Sequence, residues 1–347
     1  MKFTVIGAGN TGQAVATYIA SKGGECVINT RSLEKADIIN KNGITAEGSI
    51  NGNFRVKATT DIEKAVENSD VILVMTIANA HREVACRLKP YLTENQKVIV
   101  FNSNWGALEF KQVLGEDIEL KNLTVAETGA QLFLATSKGP GHVSFGTKAK
   151  IYVSATEPDK TQDLLDEIKE FFPQFEKAGS IIETTMSTTN PVIHVPITLL
   201  NGARIENAQQ FLFYGEGASR KAVDLVINID KERIAVAKAL GCDIDDVLTG
   251  INSFWEIKHD NLFDALTKNE TYIKSKGPQT LNHRYLTEDV PFGIAPIAKI
   301  GRLFNIETPY TDALLDIIGY LYGTELVYGG ISFSREDFEA YEASSSI

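Results

Sequence analysis

Short apolar runs alternate with amphipathic stretches along the first half of the chain, and this alternation limits the possible folds more than any other feature. KFTVIGA (residues 2–8) reads as a buried strand, NTGQAVATYIASKG (10–23) as a helix stopping at glycine, and ECVINT (25–30) as a strand. DIEKAVENS (61–69) reads as a helix, DVILVMT (70–76) as a strand, HREVACRLKPYL (81–92) as a helix, and QKVIVFNS (96–103) and TVAETG (124–129) as strands. Such alternation implies right-handed crossovers and a parallel sheet covered on both faces. GHVSFGT and AKIYVSA are expected as later strands, with a helix in DKTQDLLDEIKEFF (159–172). After about residue 182 long helical patterns take over: KAVDLVINIDKERIAVAKALG, DVLTGINSFWEI, APIAKIGRLF and YTDALLDIIGYLYG. The expected architecture is therefore α/β, a Rossmann-type doubly wound parallel sheet over residues 1–181, followed by a mostly α-helical domain over 182–347. The terminal EASSSI is expected to fray.

GAGNTG, Gly7 to Gly12, follows the first strand and opens the first helix, as GxGxxG must to bind a dinucleotide. Its glycines permit a tight turn, close backbone approach to a pyrophosphate and close packing of helix on strand, while the helix N-terminus favours negative charge. Gly7, Gly9, Asn10, Thr11 and Gly12 are thus candidate cofactor contacts. An acid at the end of the second strand would hold a ribose 2′-hydroxyl; here the chain reads VINTRSLEK, so Arg31 and Ser32 favour NADP(H), with NAD(H) possible. Thr76, at the tip of DVILVMT, is placed at the carboxyl end of the sheet, near the cofactor.

The formal charge is −11, from 34 basic against 45 acidic residues, which disfavours nucleic acid as a partner and requires a locally basic site for any anionic ligand. No run of 18 apolar residues predicts a membrane span, and no secretory leader is visible. Cys26, Cys86 and Cys242 lack paired spacing, and the five histidines form no HExxH or HxH pair. A cytoplasmic chain with reduced thiols and no metal is expected.

His194 stands between two prolines in TTNPVIHVPITLLNG (188–202). Asn190 before Pro191 resembles an N-cap followed by a first-turn proline, which sets Asn190 and His194 one turn apart. Pro196 should kink that helix close to His194, at a cost of about 3 kcal/mol that a mere core helix rarely accepts. NHRYLTEDVPFG (282–293) concentrates Arg284, Tyr285, Glu288 and Asp289 before a proline; Asp289 or Glu288 could be a helix cap, and Arg284 a surface ion pair.

GAGNTG, GALEF (106–110), AETG (126–129), NPVIHVP, LLNGARIE, FYGEG, DKERIAVAKALG and RYLTEDVPFG together resemble the opine dehydrogenase family of octopine and nopaline dehydrogenase type, along nearly the whole chain. NPxxH with RYxxEDVPFG is the specific part. The resemblance implies that His194 and Asp289 form a catalytic pair, an imidazole held by a carboxylate, facing the nicotinamide across an interdomain cleft. It implies that Arg284 binds a substrate carboxylate, for which its planar fork suits bidentate recognition, and it places Asn190 and Thr128 among the substrate contacts. The activity implied is NAD(P)H-dependent reductive condensation of an amino acid with a 2-oxo acid, by a homodimer. The chain departs from the family where it reads MTIANAH and FNSNWGALEF at the ends of the fourth and fifth strands. His81 and Trp105 on those loops are either substrate contacts or packing. Alternative readings are a 2-oxo acid reductase of the ketopantoate reductase kind, a 3-hydroxy acid dehydrogenase, and a non-catalytic NADP(H) sensor.

Overall fold

The computed structural model describes residues 1–255, 258–270 and 272–342, so the expected frayed EASSSI and the last two residues of DVLTGINSFWEI fall outside the described residues, except Glu342. Two compact units are present, Met1–Thr185 and Met186–Ile347, dividing within the helix Ile181–Met186.

The first unit carries strands β1 (Lys2–Ile6), β2 (Glu25–Asn29), β3 (Ile44–Gly48), β4 (Gly52–Phe54), β5 (Lys57–Thr59), β6 (Val71–Val74), β7 (Lys97–Val100), β8 (Thr124–Thr128), β9 (Phe133–Gly139), β10 (His142–Thr147), β11 (Ile151–Ala155) and β12 (Phe175–Lys177). Eight of them form one sheet in the order β12-β11-β8-β7-β6-β1-β2-β5. All its pairings are parallel except β8 with β11. Val71 to Val74 are fully buried, as expected of a central strand with both faces covered.

GHVSFGT and AKIYVSA are strands, as expected, but they lie in different sheets. β4-β3-β10-β9 form a second sheet, so GHVSFGT leaves the parallel layer. β8 continues into the β9–β10 hairpin instead of a crossover helix, and β11 then returns antiparallel beside β8. The second sheet explains why the helix Asn10–Ser21 is buried continuously from Gly12 to Ile19. Tyr18 meets Phe133 of β9 edge-to-face at 5.2 Å, and Gln13 accepts the Gly141 N–H at 2.8 Å, so the helix lies under both layers.

The second unit is helical. Its long helix Arg220–Ala239 is pinned by buried charges that are fully partnered: Arg233 Nε donates to Asp230 at 2.8 Å, Asp230 also accepts the Val247 N–H, and Glu232 accepts the N–H groups of Tyr310 and Thr311. The DKER stretch is scaffold. No helix among the described residues is long and apolar enough to cross a membrane.

Candidate active site

The glycine turn sits where β1 ends. Gly7 has φ +114°, outside the range of L side chains, and its N–H donates to Asn29 at 2.9 Å. A Cβ on Gly12 would lie 2.0 Å from the Gly7 carbonyl oxygen, so this glycine lets the helix Asn10–Ser21 approach the strand. A Cβ on Gly9 would meet nothing within 4 Å. Packing within the chain therefore does not require glycine at 9, whereas close approach of a pyrophosphate does. Thr76 Oγ1, buried without a hydrogen-bond partner, lies in the same groove, which Arg31, Ser32, Lys35 and Arg87 also line. These residues fit a dinucleotide. Ser32 Oγ already caps the helix Leu33–Asn42 by accepting the Lys35 N–H at 3.2 Å.

The loop after β7 is unusual. Asn102, Ser103, Asn104 and Trp105 all have positive φ, between 41° and 73°, a conformation that is cheap for asparagine and costly for tryptophan. The turn is held from β8: the Thr128 hydroxyl accepts the Asn102 N–H at 3.1 Å and donates to Ala130, and the Thr128 carbonyl accepts the Ser103 N–H at 2.8 Å. Thr128 is fully buried. These bonds make the residue a support of this turn. Beside it the buried Glu127 carboxylate accepts from Thr184, Thr185 and the Ala107 N–H, and burial pushes it up to about 7 against those bonds. Trp105 and His81 are both buried; burial holds the His81 imidazole down to about 4, with the Thr76 backbone offsetting part of the effect. A Cβ on Gly106 would come within 2.8 Å of His81 Nδ1, so the ring is packed against that helix start.

Glu109, 3% exposed, is pushed by burial up to about 7, with Arg82 pulling back. A carboxyl raised in the folded state contributes stability that is complete below the unfolded value near 4.5 and lost as pH rises through about 7. At full ionisation the loss approaches about 3 kcal/mol. Glu109→Gln is expected to narrow the gap between melting temperatures at pH 5 and pH 8; an unchanged gap removes Glu109 as its source.

In the second unit the helix Asn190–Leu200 runs unbroken through Pro196. Thr189, not Asn190, occupies the N-cap, and no side chain caps it; Asn190 is the exposed first helical residue. Proline at the next position needs no N–H there. His194 is 7% exposed, with Nδ1 2.8 Å from Asp289 Oδ2 and Nε2 3.0 Å from the Tyr214 hydroxyl. A carboxylate only accepts, so Nδ1 carries a proton, and in the neutral ring Nε2 accepts from the Tyr214 O–H. Tyr285 stacks on the imidazole with centroids 3.9 Å apart.

Asp289 makes no cap. It precedes a π-helical turn, Val290–Ile294, a geometry frequent at functional sites. A Cβ on Gly293 would lie 2.4 Å from the Pro191 ring, so the two motifs that carry the carboxylate and the imidazole interlock glycine against proline. Arg284 is 57% exposed and pairs with the buried Glu288 at 3.2 Å. Asn190, one turn before His194, is exposed, while the imidazole is buried. Sequence reading overlooked Tyr214, although it lies in FYGEG, because nothing local ties a loop phenol to a histidine 20 residues earlier. No group of three His, Cys, Asp or Glu side chains that could hold a metal occurs among the described residues.

Comparison with known proteins defines the class first. Residues 2–113 match the NAD-dependent glycerol-3-phosphate dehydrogenase N-terminus, and residues 177–322 match the NAD/NADP octopine/nopaline dehydrogenase, alpha-helical domain. The chain is an NAD(P)-dependent oxidoreductase. An opine dehydrogenase of Arthrobacter sp. (strain 1C) is 32% identical over 330 residues, covering 93% of this chain and 91% of that one. The chain belongs to the opine dehydrogenase family. A structure of octopine dehydrogenase in complex with NADH and agmatine aligns with TM-score 0.81 at 19% identity, over 100% of this chain and 96% of that one. A ketopantoate reductase from Ralstonia eutropha JMP134 aligns with TM-score 0.65 at 17% identity, over 92% and 98%, and shares the fold.

Proposed function

We propose that this opine dehydrogenase joins the amino group of an amino acid to a 2-oxo acid, of pyruvate or 2-oxoglutarate type, and prefers NADPH. The observation that carries the reading is the buried His194–Asp289 pair, 2.8 Å apart. When bound, the reduced nicotinamide supplies hydride to the imine carbon. Gly7, Gly9, Asn10, Thr11 and Gly12 hold the pyrophosphate, with Thr76 beside it. Asp289 fixes the imidazole so that proton exchange occurs at Nε2, and the protonated ring assists loss of water from the carbinolamine. Arg284 receives a substrate carboxylate with the donors its pair with Glu288 leaves over, and Asn190 hydrogen-bonds the substrate at the exposed start of the same helix. Exposed apolar side chains at Ile317, Tyr320 and Leu321 support a homodimer, and three free cysteines fit a cytoplasmic setting.

NADPH oxidation with each oxo acid, measured with and without a pool of amino acids, tests the reaction. Dependence on the amine is the expected result; full rate with the oxo acid alone would make the protein a reductase of the ketopantoate reductase or hydroxy acid dehydrogenase kind, and no turnover with any pair would favour a sensor. Arg31, Ser32 and Lys35 line the groove with no acid at the end of β2, which supports the cofactor preference. Arg31→Ala is expected to lower kcat/KM for NADPH about 10- to 100-fold, as for loss of a charged hydrogen bond, with little effect on NADH. Equal losses with both cofactors would remove Arg31 from phosphate recognition.

A further inference from the structure

We propose that Tyr214 is a catalytic residue, the phenol through which His194 exchanges its proton with the substrate oxygen. The inference rests on the opine reading above and adds a step to it. His194 has one ring nitrogen bound to the Asp289 carboxylate and the other bound to the Tyr214 hydroxyl at 3.0 Å, and one ring face is covered by Tyr285. The imidazole, 7% exposed, has no further nitrogen to offer. A proton that enters or leaves at Nε2 therefore passes through the phenol, unless the phenol moves away.

The phenol is held in place. Its ring stacks on Tyr272 with centroids 4.7 Å apart, and meets Phe213 edge-on at 5.0 Å. The turn that carries it is closed by the Glu216 and Gly217 N–H groups donating to the Leu212 carbonyl at 2.8 and 3.0 Å. A Cβ on Gly217 would lie 2.4 Å from the Phe213 carbonyl oxygen, so the FYGEG turn tolerates only glycine there. Burial, together with Tyr285, Tyr272 and Asp289, pushes the Tyr214 hydroxyl well above its usual range, which disfavours a free phenolate. A concerted transfer satisfies that limit. As Nε2–H of the protonated imidazole passes to the phenol oxygen, the phenol's own proton passes to the carbinolamine hydroxyl; the C–O bond breaks, water leaves, the nitrogen lone pair forms the protonated imine, which takes over the positive charge, and Tyr214 ends neutral as it began.

Tyr214→Phe keeps the ring and removes the relay atom. With the substrate pair identified by the amine screen, single-turnover kcat is expected to fall about 10²-fold, the low end for one proton-transfer group, with cofactor affinity and melting temperature unchanged. The parent enzyme's rate in H2O–D2O mixtures is expected to curve with isotopic content, as for two protons in flight, and the variant's to be linear. A variant with full turnover, a linear dependence in the parent, or a loss of rate matched by lost cofactor affinity or lost melting temperature would each overturn the relay. His194→Ala run alongside separates the two failures: retained turnover there defeats the opine chemistry itself, whereas loss there with full activity in Tyr214→Phe defeats the relay alone.

Discussion

Turnover of the His194→Ala variant is expected to be about 10³-fold below the parent, within the range for loss of a general acid–base group, while NAD(P)H titrations give a nearly unchanged affinity. The second expectation follows from the distribution of residues: the glycine turn and the groove beside it lie in Met1–Thr185, and the imidazole in Met186–Ile347. The substitution also strands a charge. Asp289 is 5% exposed and loses its partner, and breaking a buried pair from one side costs about 3–5 kcal/mol, so this variant should melt early. His194→Ala with Asp289→Asn removes the stranded charge. That double variant is expected to recover much of the melting temperature and none of the turnover, which separates the chemical role from the structural one. Asp289→Asn alone retains an acceptor for Nδ1–H but not the negative charge that stabilises an imidazolium, and should fall between parent and His194→Ala. If His194→Ala turned over at the parental rate, neither residue would belong to the chemistry.

Legibility in the sequence followed the range of the interactions. The strand-glycine-helix start was readable because GxGxxG acts within a few residues of itself and β1 and the helix Asn10–Ser21 have strong apolar periodicity. The second sheet was not: GITAEGSINGNF, which supplies β3 and β4, is polar and glycine-rich, and its strands are ordered by pairing with β10 almost a hundred residues on. His194 and Asp289 could be named together only through family resemblance, since no local pattern links positions 95 apart. The contact that joins the two motifs, Gly293 against Pro191, is legible in neither alone. The part Thr128 plays in the turn was equally hidden. A turn of positive-φ residues without glycine needs acceptors nearby, and Thr128 supplies two of them from 26 residues along the chain. Tyr214 had no signal beyond its place in FYGEG.

The glycine turn permits a sharper separation of folding from binding than the catalytic pair does. Gly9 has φ −74° and ψ −173°, extended backbone open to any residue, and its Cβ position is empty of protein atoms. Gly9→Val should therefore fold as well as the parent or slightly better, since glycine's extra freedom is lost from the unfolded chain. Its side chain would occupy the space into which the pyrophosphate must come, and NAD(P)H affinity is expected to fall by about 10²-fold or more. Gly12→Ala differs because its methyl would collide with a backbone carbonyl at 2.0 Å, which cannot swing aside as a side chain can. The helix must move off β1, and overpacking of this kind costs about 1–3 kcal/mol, a drop of several degrees in Tm before any ligand is added. Melting curves without cofactor, followed by fluorescence titration with NAD(P)H, distinguish the two sites. A Gly9→Val protein that bound cofactor normally would mean that the dinucleotide does not cross this turn, leaving GAGNTG as a strand-to-helix connection whose glycines serve packing alone.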